Sequence, residues 1–327
     1  MPASQRDVRN RISAVKNIQK ITRAMEMVAA ARLRRAEQRI EALRPYVGAI
    51  RRMTRDAAEA TGYVPSVPIL SERETVSTAG LLLVAGDRGL AGAFNSNVVR
   101  AGIAVGREYE ARGLSVLYFA SGRRPSSSLT FRGLEPRESF IGFSDRPAFA
   151  DARRIAERLM VAYVDREVDR VEVFYNGYIS PMSQVVRRET LLPLSEATLL
   201  QDEQASGRAL GDGQADGERG EVRQAEEQRA DGQTQAEPAA RRIYIEYEPD
   251  PEAVLKRLVP DYVKLSIFRA LLESTASEHG ARMTAMRNAS QNAGELIKDL
   301  TLEMNRARQA EITQEIMEVV AGAEGLG

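Results

Sequence analysis

The 327-residue chain contains no cysteine and no tryptophan, and it has a single histidine. Without cysteine there can be no disulfide bond, no thiolate metal site and no cysteine nucleophile, and one histidine cannot form a histidine-rich metal cluster. The sequence suggests neither a Ser-His-Asp set nor a paired acid and base. We therefore predict a non-catalytic protein that needs no cofactor and no metal.

Long apolar runs and an overall charge are also absent. No apolar run approaches the roughly 20 residues that span a bilayer, and 46 basic residues balance 46 acidic residues. The first ten residues lack the apolar stretch of a secretory signal, so we predict no targeting peptide and expect a cytoplasmic chain. The length allows two domains with a core that needs no covalent cross-links.

Basic residues are concentrated at the start of the chain. Residues 1–60 contain 14 Lys or Arg and 6 Asp or Glu. A basic helix can contact nucleic acid, an anionic membrane surface or an acidic protein partner, and many of its charges can simply face water. Nucleic acid is disfavoured as a partner, because no aromatic residue stands between the arginines before Tyr46.

A long heptad pattern is present near the start of the chain. From about Ser4 to Ala60, apolar residues recur in steps of three and four. The positions are Val8, Ile12, Val15, Ile18, Thr22, Met25, Ala29, Leu33, Ala36, Ile40 and Leu43. This pattern is much longer than an ordinary globular helix and predicts a coiled coil. Pro45, followed by Gly48, predicts a bend or a brief break near Leu43.

A second pattern of the same kind fills the end of the chain. Its positions are Leu265, Phe268, Leu272, Ala276, His279, Met283, Met286, Ser290, Ala293, Ile297, Leu300, Met304, Ala307 and Glu311, and then Ile312, Ile316 and Val319. We expect Asp250 to cap a short lead-in helix, and Pro260 fits the first turn of the main helix. If residues 261–320 form that main helix, it is a rod of about 90 Å.

Between the two patterns, the periodicity changes to alternating strands and helices, which is typical of an α/β domain. We predict strands at residues 81–85, 115–120, 171–175, 184–189 and 242–247, and helices at residues 95–111 and 147–168. The opening order of strand, helix and strand favours a partly parallel sheet, and we expect the last two strands to pair as an edge. The predicted segments are an N-terminal coiled-coil helix (1–60), a central α/β domain (76–200), an insertion (201–241), the last strand of that domain (242–250) and a C-terminal coiled-coil helix (251–327).

The insertion has a composition of its own. Residues 201–242 contain 10 acidic and 6 basic residues, six glycines and seven glutamines, and no aromatic residue. Such a segment cannot bury enough apolar surface to offset the entropy lost on ordering. We therefore predict that it is flexible.

A glycine-rich turn follows the first predicted strand of the central domain. Residues 86–92 read GDRGLAG, so the glycine spacing is GxxGxxG. A dinucleotide-binding loop needs GxGxxG, and no phosphate-loop GK[ST] is present. We favour a tight turn that exposes Asp87 and Arg88 to a partner over a nucleotide site. His279 lies on the second apolar pattern, where a core or partner-facing histidine is favoured over a metal ligand.

Three stretches of the chain resemble one family closely. They are NIQKITRAMEMVAA (17–30), STASEHGARMTAM (274–286) and NRARQAEITQEI (305–316), and DRGL (87–90) with Asn95 adds a shorter match. These stretches are similar to those of the gamma subunit of rotary proton-translocating ATP synthases. The resemblance covers nearly the whole chain apart from residues 201–242.

The resemblance implies an antiparallel coiled coil of the two terminal helices, with a central Rossmann-like α/β domain packed against its lower part. The implied function is that of the central rotor shaft, which couples proton flow through the membrane sector to ATP synthesis in a ring of alpha and beta subunits. The implied partners are the alpha and beta subunits, an epsilon subunit and the membrane rotor ring of c subunits, with no nucleic acid. The implied location is peripheral, at the cytoplasmic face of the cell membrane.

The resemblance also assigns roles to individual residues. Arg308, Gln309 and Thr313 match family positions that contact beta subunits. Met25, Arg282 and Glu318 match family positions that are tied to coupling efficiency. The insertion lies where chloroplast-type gamma subunits carry a redox cysteine pair, and the absence of cysteine excludes thiol control in this chain. The alternatives are a free-standing coiled-coil scaffold and a nucleotide-binding α/β protein.

Overall fold

The described part of the chain forms two long helices, three shorter helices and a six-stranded sheet. The computed structural model describes residues 5–61, 69, 73, 75–194, 208–209 and 250–324. In chain order the elements are α1 (Gln5–Thr61), β1 (Thr78–Val84), α2 (Phe94–Ala111), β2 (Ser115–Ser121), α3 (Arg123–Phe131), β3 (Glu138–Phe140), α4 (Phe149–Val164), β4 (Arg170–Ser180), β5 (Ser183–Leu192), β6 (Arg208–Ala209) and α5 (Pro251–Glu324).

Helices α1 and α5 pack against each other as an antiparallel pair. Near the start of α1, Val8 is buried against Leu300 of α5, and near its middle Leu33 is buried against Ala276. At about 1.5 Å per residue, the 57 residues of α1 extend about 85 Å and the 74 residues of α5 about 110 Å. The predicted antiparallel coiled coil is therefore confirmed.

One position of the predicted α1 pattern is wrong. The side chain of Ile18 is 53% exposed, and its neighbour Gln19 faces α5 instead, where its Nε2 donates to the carbonyl oxygen of Ser290 at 3.3 Å. Alternating steps of four and three from Val8 lead to position 19, but a polar residue stands there. The amide is tolerated between the helices because it has a hydrogen-bond acceptor.

Two prolines lie inside uninterrupted helices, where the sequence pattern predicts interruptions. Pro45 lies within α1 and Pro260 within α5, so a break near Leu43 and the separate lead-in helix are wrong. The alternative of a bend near Leu43 stays a prediction. A proline inside a helix costs about 3 kcal/mol. Around Pro260 this cost is opposed by packing, since the side chains of one face are completely buried, namely Leu255, Val259, Val263 and Ile267.

Asp250 caps α5 as predicted, although the helix it caps is the long one. Its Oδ1 accepts a hydrogen bond from the backbone N–H of Ala253 at 2.8 Å. This bond satisfies one of the amides that a helix leaves unpaired at its start. Pro251 follows at the first helical position, where its missing N–H costs nothing.

The sheet has the strand order β3-β2-β1-β4-β5-β6. Strands β1 to β4 are mutually parallel, whereas β5 and β6 are antiparallel to their neighbours. The predicted α/β architecture with a partly parallel sheet is thus confirmed. The short strand β3 and the helix α3 were not predicted, because three residues of strand and a serine-rich helix carry little apolar periodicity.

The edge of the sheet differs from the prediction. Residues Arg208 and Ala209 form β6 and pair with Arg188 and Arg187 of β5, so two positions of the segment predicted to be flexible join the sheet. The predicted strand at 242–247 lies outside the described residues. The division of the chain into domains stays a prediction.

The sheet carries helices on both faces. Leu81 and Leu83 of β1 pack with α2 and α3, while Leu82 and Val84 pack with α4 and with the first part of α5. Because α5 belongs to this core as well as to the coiled coil, residues 271–280 are all buried. The turn that follows β1 is thereby held directly against the long helix.

Candidate functional site

The turn at residues 86–90 is fixed by a side chain from the next helix. The backbone N–H of Gly86 donates to Asn95 Oδ1 at 2.8 Å, and Asn95 Nδ2 donates to the carbonyl oxygen of Arg88 at 3.1 Å. One amide group therefore closes the turn from both ends. The asparagine at the start of α2 therefore fixes the DRGL turn of this chain.

Asp87 is used inside the domain. Its carboxylate accepts hydrogen bonds from the backbone N–H groups of Arg123 at 2.9 Å, Gly142 at 3.0 Å and Ser144 at 3.1 Å. It thus caps the start of α3 and fastens the loop after β3. Asp87 is thus half-buried and bonded within the domain, whereas Arg88 is exposed. Contact of either residue with a partner stays a prediction.

Helix α5 contacts the other side of the same turn. Arg282 Nη2 lies 2.6 Å from Glu278 Oε1, one helical turn earlier, and donates to the carbonyl oxygen of Gly89 at 3.2 Å. A Cβ atom on Gly86 would lie 2.8 Å from the carboxyl carbon of Glu278, so only glycine fits there without displacing the carboxylate. Burial raises the pKa of Glu278, while Arg282 acts in the opposite direction.

An apolar groove of about 550 Å³ lies between α1, this turn and α5. Its walls bring together three residues that the sequence singles out, Met25, Arg88 and Arg282. Leu90 forms part of the rim, where its side chain is 64% exposed and its φ is +62°. The groove therefore combines an apolar floor with guanidinium groups at its edge.

His279 lies beneath this groove and is only 1% exposed. Burial lowers the pKa of His279 to about 4, although its Nε2 lies 3.8 Å from Asp145 Oδ1. Asp145 is ion-paired with Arg32 of α1. The histidine is therefore neutral near pH 7 and buried in the core, and its Nδ1 has no hydrogen-bond partner among the described residues.

No metal site accompanies this histidine. Within residues 5–61, 75–194 and 250–324, no group of three His, Asp or Glu residues is arranged to hold a metal ion. The turn is also a poor phosphate site, because the carboxylates of Asp87 and Glu278 lie beside it. This arrangement disfavours the nucleotide-binding alternative.

The remaining predicted site residues form a second group at the end of α5. Arg308, Gln309, Thr313 and Glu318 lie beyond the part of α5 that packs on α1, and every residue from 308 to 321 is exposed. Their hydrogen bonds stay within α5, as in the 2.9 Å bond from Thr313 Oγ1 to the carbonyl oxygen of Gln309. The same segment exposes large apolar side chains, namely Ile312, Ile316, Met317, Val319 and Val320.

Comparisons with known proteins agree on one family. A family model described as ATP synthase matches residues 4–326. The ATP synthase gamma chain of Rubrobacter xylanophilus is 38% identical over 324 residues, which cover 99% of each chain. The gamma chain of Nostoc punctiforme is 39% identical over 326 residues, with the same coverage. The chain belongs to the ATP synthase gamma chain family.

Chains from solved structures of mitochondrial ATP synthases share the fold. A chain from the central stalk and c-ring structure of Tetrahymena thermophila mitochondrial ATP synthase is 26% identical, with a TM-score of 0.53 over 83% of this chain and 99% of that one. A chain from the rotor of Euglena gracilis mitochondrial ATP synthase is 17% identical, with a TM-score of 0.55 over 94% and 98% of the two chains, and shows a likeness of fold alone.

Membership of the gamma chain family confirms the assignment made from the motifs. The chain is a non-catalytic subunit of the ATP synthase and forms its central rotor shaft. The enzyme is membrane-bound and the gamma chain is a peripheral subunit of it. In the described part of the chain, no helix has the length and apolar character needed to cross a bilayer.

Sequence reasoning missed the residues that hold the gamma-chain turn in place. Glu278 stands four residues before Arg282, a spacing that allows an ion pair on a helix, and this signal is present in the sequence. Asp145 and Arg32 are separated by more than a hundred residues, and no local pattern joins them. Such pairs become visible only when the helices are packed.

Proposed function

We propose that the coiled coil of α1 and α5 rotates inside a ring of alternating alpha and beta subunits and imposes different conformations on otherwise equivalent nucleotide sites. The observation that carries this proposal is the end of α5, which projects past α1 as a single helix with exposed apolar side chains. Exposed apolar surface of this kind is typical of a segment that is covered by a partner. A surrounding ring of subunits provides that cover.

The asymmetry of the shaft supports the coupling role. The sheet and its helices pack on one side of the coiled coil through α4, β4 and α5, so the subunits of a ring would meet different faces of one chain. Each orientation then favours one subunit conformation over the others. Proton-driven rotation is in this way converted into ordered changes of nucleotide affinity.

We assign two contact regions with the ring. The groove that contains Met25, Arg88 and Arg282 offers guanidinium groups above an apolar floor, which suits an acidic loop of a beta subunit. The exposed tip offers Arg308 and Gln309, whose side chains can make polar contacts with beta subunits. Thr313 and Glu318 belong to the same tip region.

The α/β domain is assigned to the membrane end of the shaft. There it would be fixed to the rotor ring of c subunits and would bind an epsilon subunit, at the cytoplasmic face of the cell membrane. The support is the resemblance of the central domain to the family, together with the position of the sheet away from the α5 tip.

Co-purification and reconstitution test these assignments together. We expect a tagged full-length chain, coexpressed with alpha and beta subunits, to retain them on an affinity column and to restore proton-driven ATP synthesis in vesicles that contain the membrane sector. A chain that purifies alone under these conditions would favour the coiled-coil scaffold. Tight nucleotide binding by the isolated chain would favour the nucleotide-binding alternative.

A further inference from the structure

A cavity of about 350 Å³ lies between the two long helices and the β4–β5 hairpin, away from the groove described above. One wall is apolar and is built from side chains of both helices. The lining also contains three guanidinium groups, namely those of Arg187 and Arg269 near Glu273 and Tyr178, and that of Arg44 on α1. Neither the family motifs nor the proposed contacts with a ring use these residues.

The arginine of β5 is placed in the cavity wall by a glycine on the neighbouring strand. A Cβ atom on Gly177 would lie 2.3 Å from Nε and 2.6 Å from Cδ of Arg187. The side chain of Arg187 therefore lies flat across β4 and reaches towards α5, where its Nη1 is 3.5 Å from Glu273 Oε2. Any larger residue at position 177 would displace this guanidinium from the wall.

Arg269, the arginine of α5, is paired with a glutamate of β5. Arg269 Nη2 donates to Glu189 Oε2 at 2.6 Å, and Tyr175 OH donates to Glu189 Oε1 at 2.6 Å. Glu189 thus has a partner for each oxygen. In the described part of the chain, four buried side-chain polar atoms have no hydrogen-bond partner, and two of them are Arg269 Nε and Glu273 Oε2 of this wall.

An unpaired buried donor such as Arg269 Nε is unfavourable unless an acceptor in the cavity bonds to it. Three carboxylates lie near the three guanidinium groups, namely those of Glu189 and Glu273 and that of Glu37, which accepts a hydrogen bond from Tyr178 OH. The Nε of Arg269 remains a buried donor that a ligand can use. We propose that this cavity binds a tetrahedral oxyanion, either inorganic phosphate or the phosphate of a nucleotide, through Arg44, Arg187 and Arg269. Guanidinium groups match the geometry and charge of such an anion.

Glu273 makes the site sensitive to pH. It faces Arg269 on α5, Arg187 and Glu189 on β5, and Tyr175 and Tyr178 on β4. On α1, Arg44 lies across the cavity and Glu37 accepts a hydrogen bond from Tyr178. Burial raises the pKa of Glu273, and a bound dianion would raise it further. When protonated, the carboxyl can donate a hydrogen bond to the anion, and when ionised it repels the anion. Binding therefore strengthens as the pH falls.

A bound anion would contact side chains from three different elements that line the cavity. Arg44 belongs to α1, Arg269 to α5 and Arg187 to the sheet. An oxyanion shared by these side chains would stiffen the joint between the coiled coil and the α/β domain. This inference concerns the chain itself and does not depend on the contacts proposed with other subunits.

Isothermal titration of the purified full-length chain with sodium sulfate tests the site, with ionic strength held constant by chloride. Sulfate remains a dianion between about pH 6 and about pH 8, so a change of affinity over this range reports on the protein. We expect saturable one-site binding that is several-fold tighter at the lower pH. Glu273→Gln should tighten binding at the higher pH and remove the pH dependence.

Matched variants decide whether the cavity is responsible. Arg44 is exposed at the cavity mouth, so Arg44→Gln should leave the circular dichroism spectrum unchanged and weaken sulfate binding by about tenfold or more. Arg35→Gln, an exposed position of α1 outside the cavity, should bind as the wild type does. Absence of saturable binding, or equal binding by the Arg44 and Arg35 variants, would show that the cavity holds only water and would overturn the proposal.

Two further titrations identify the source of the oxyanion. Inorganic phosphate that binds as sulfate does, with ADP binding more weakly, supports a free anion. ADP that binds more tightly than phosphate and loses affinity in Arg44→Gln supports a nucleotide phosphate in the same cavity. If both ligands bind with an affinity that Arg44→Gln and Glu273→Gln leave unchanged, the assignment of the anion to this cavity is wrong.

Discussion

Glu278 and Arg282 lie one turn apart on α5 and join a carboxylate to a guanidinium at 2.6 Å, and both side chains are almost completely buried. The same guanidinium holds the carbonyl oxygen of Gly89 at 3.2 Å. Because Gly86 packs directly on the Glu278 carboxylate, the pair fastens the turn after β1 to the long helix. The pair is therefore one of the contacts that join the sheet to the coiled coil, besides those that α4 and β4 make with α5.

Breaking this pair should destabilise the chain strongly. In Glu278→Gln the buried guanidinium of Arg282 loses its charged partner, and we expect the free energy of unfolding to fall by about 3 kcal/mol. Urea unfolding of the full-length chain measures the change. Glu303→Gln, at an exposed position of the same helix, should change it by no more than about 0.5 kcal/mol. Equal unfolding midpoints for the two variants would contradict the role given to the pair.

The parts of the fold that could be predicted from the sequence are those set by local repetition. The apolar steps in the two long helices locate the coiled coil, because a buried stripe repeats every turn whatever it packs against. Gln19 lies between the two long helices, where it donates a hydrogen bond to the carbonyl oxygen of Ser290. A hydrophobicity pattern does not reveal such a bond. Pro260 stays within α5 because tertiary packing outweighs its local cost.

In the candidate site, too, the sequence reveals local features but not the contacts between distant residues. The motif around Asp87 marks a turn, yet its role depends on backbone amides of residues 123, 142 and 144, which only the folded domain brings together. Arg308 is exposed because the described part of α1 does not extend alongside this end of α5. The sequence alone does not reveal how the two helices are aligned. Long-range pairs such as Arg32 with Asp145 have no counterpart in a local pattern.

The exposed tip of α5 should matter for synthesis more than for assembly. Replacing Arg308 and Gln309 together by Ala removes polar groups that can contact beta subunits, while both side chains are exposed and contribute little to the fold. We expect ATP synthesis in reconstituted membranes to fall by more than the yield of assembled complex. The exposed pair Lys298 and Asp299, replaced by Ala in the same helix, serves as the control. An assembled double mutant of the tip with wild-type synthesis would reject the assignment.

Met25→Lys should uncouple ATP hydrolysis from proton pumping. The side chain is half-buried in the groove. With the groove facing an acidic loop of a beta subunit, as we propose, a lysine there would pair with that loop in one rotary position. When it is partly desolvated, such a pair lowers the free energy of that rotary position by about 1 kcal/mol or more, which hinders rotation out of it. We expect fewer protons pumped per ATP hydrolysed than in the wild type, measured in parallel in vesicles.

Met27→Lys supplies the matched control for this experiment. Met27 is two residues away on α1, its side chain is 63% exposed, and it does not line the groove. The same charge is therefore added to the same helix outside the groove. If both lysine variants pump as the wild type does, or if both are uncoupled equally, the groove is not the contact that sets coupling.

His279 should make stability depend on pH. Its pKa in the folded chain is lowered to about 4 by burial, from an ordinary value of 6.5. The unfolded chain therefore binds the proton more readily, and the contribution of this residue to stability is present above about pH 6.5 and is lost as the pH falls towards 4. Its size is about 3 kcal/mol at most. We expect urea unfolding profiles of the wild type and of His279→Gln to diverge in slope between these pH values, and parallel profiles would contradict a neutral buried histidine.

The last prediction concerns the insertion at residues 201–241, which we expect to modulate activity without being needed for rotation. Its composition cannot offset the entropy of ordering, and its 10 acidic residues within 201–242 can act on a shaft whose first 60 residues carry an excess of basic groups. One hypothesis is an electrostatic brake on wasteful hydrolysis, and the other is a neutral spacer. Deleting residues 212–238 keeps β6 on the sheet edge and removes most of the acidic groups, so assembly should survive under both hypotheses.

The two hypotheses differ in how hydrolysis responds to salt. The brake requires that the deletion speed ATP hydrolysis at low ionic strength and that the difference shrink as salt screens the charges. A variant of full length, in which the acidic residues of 212–238 are changed to Asn or Gln, separates charge from length and should behave as the deletion does. Unchanged hydrolysis by both variants at every salt concentration leaves only the spacer. Loss of assembly on deletion would refute both, because the segment would then be part of what holds the rotor together.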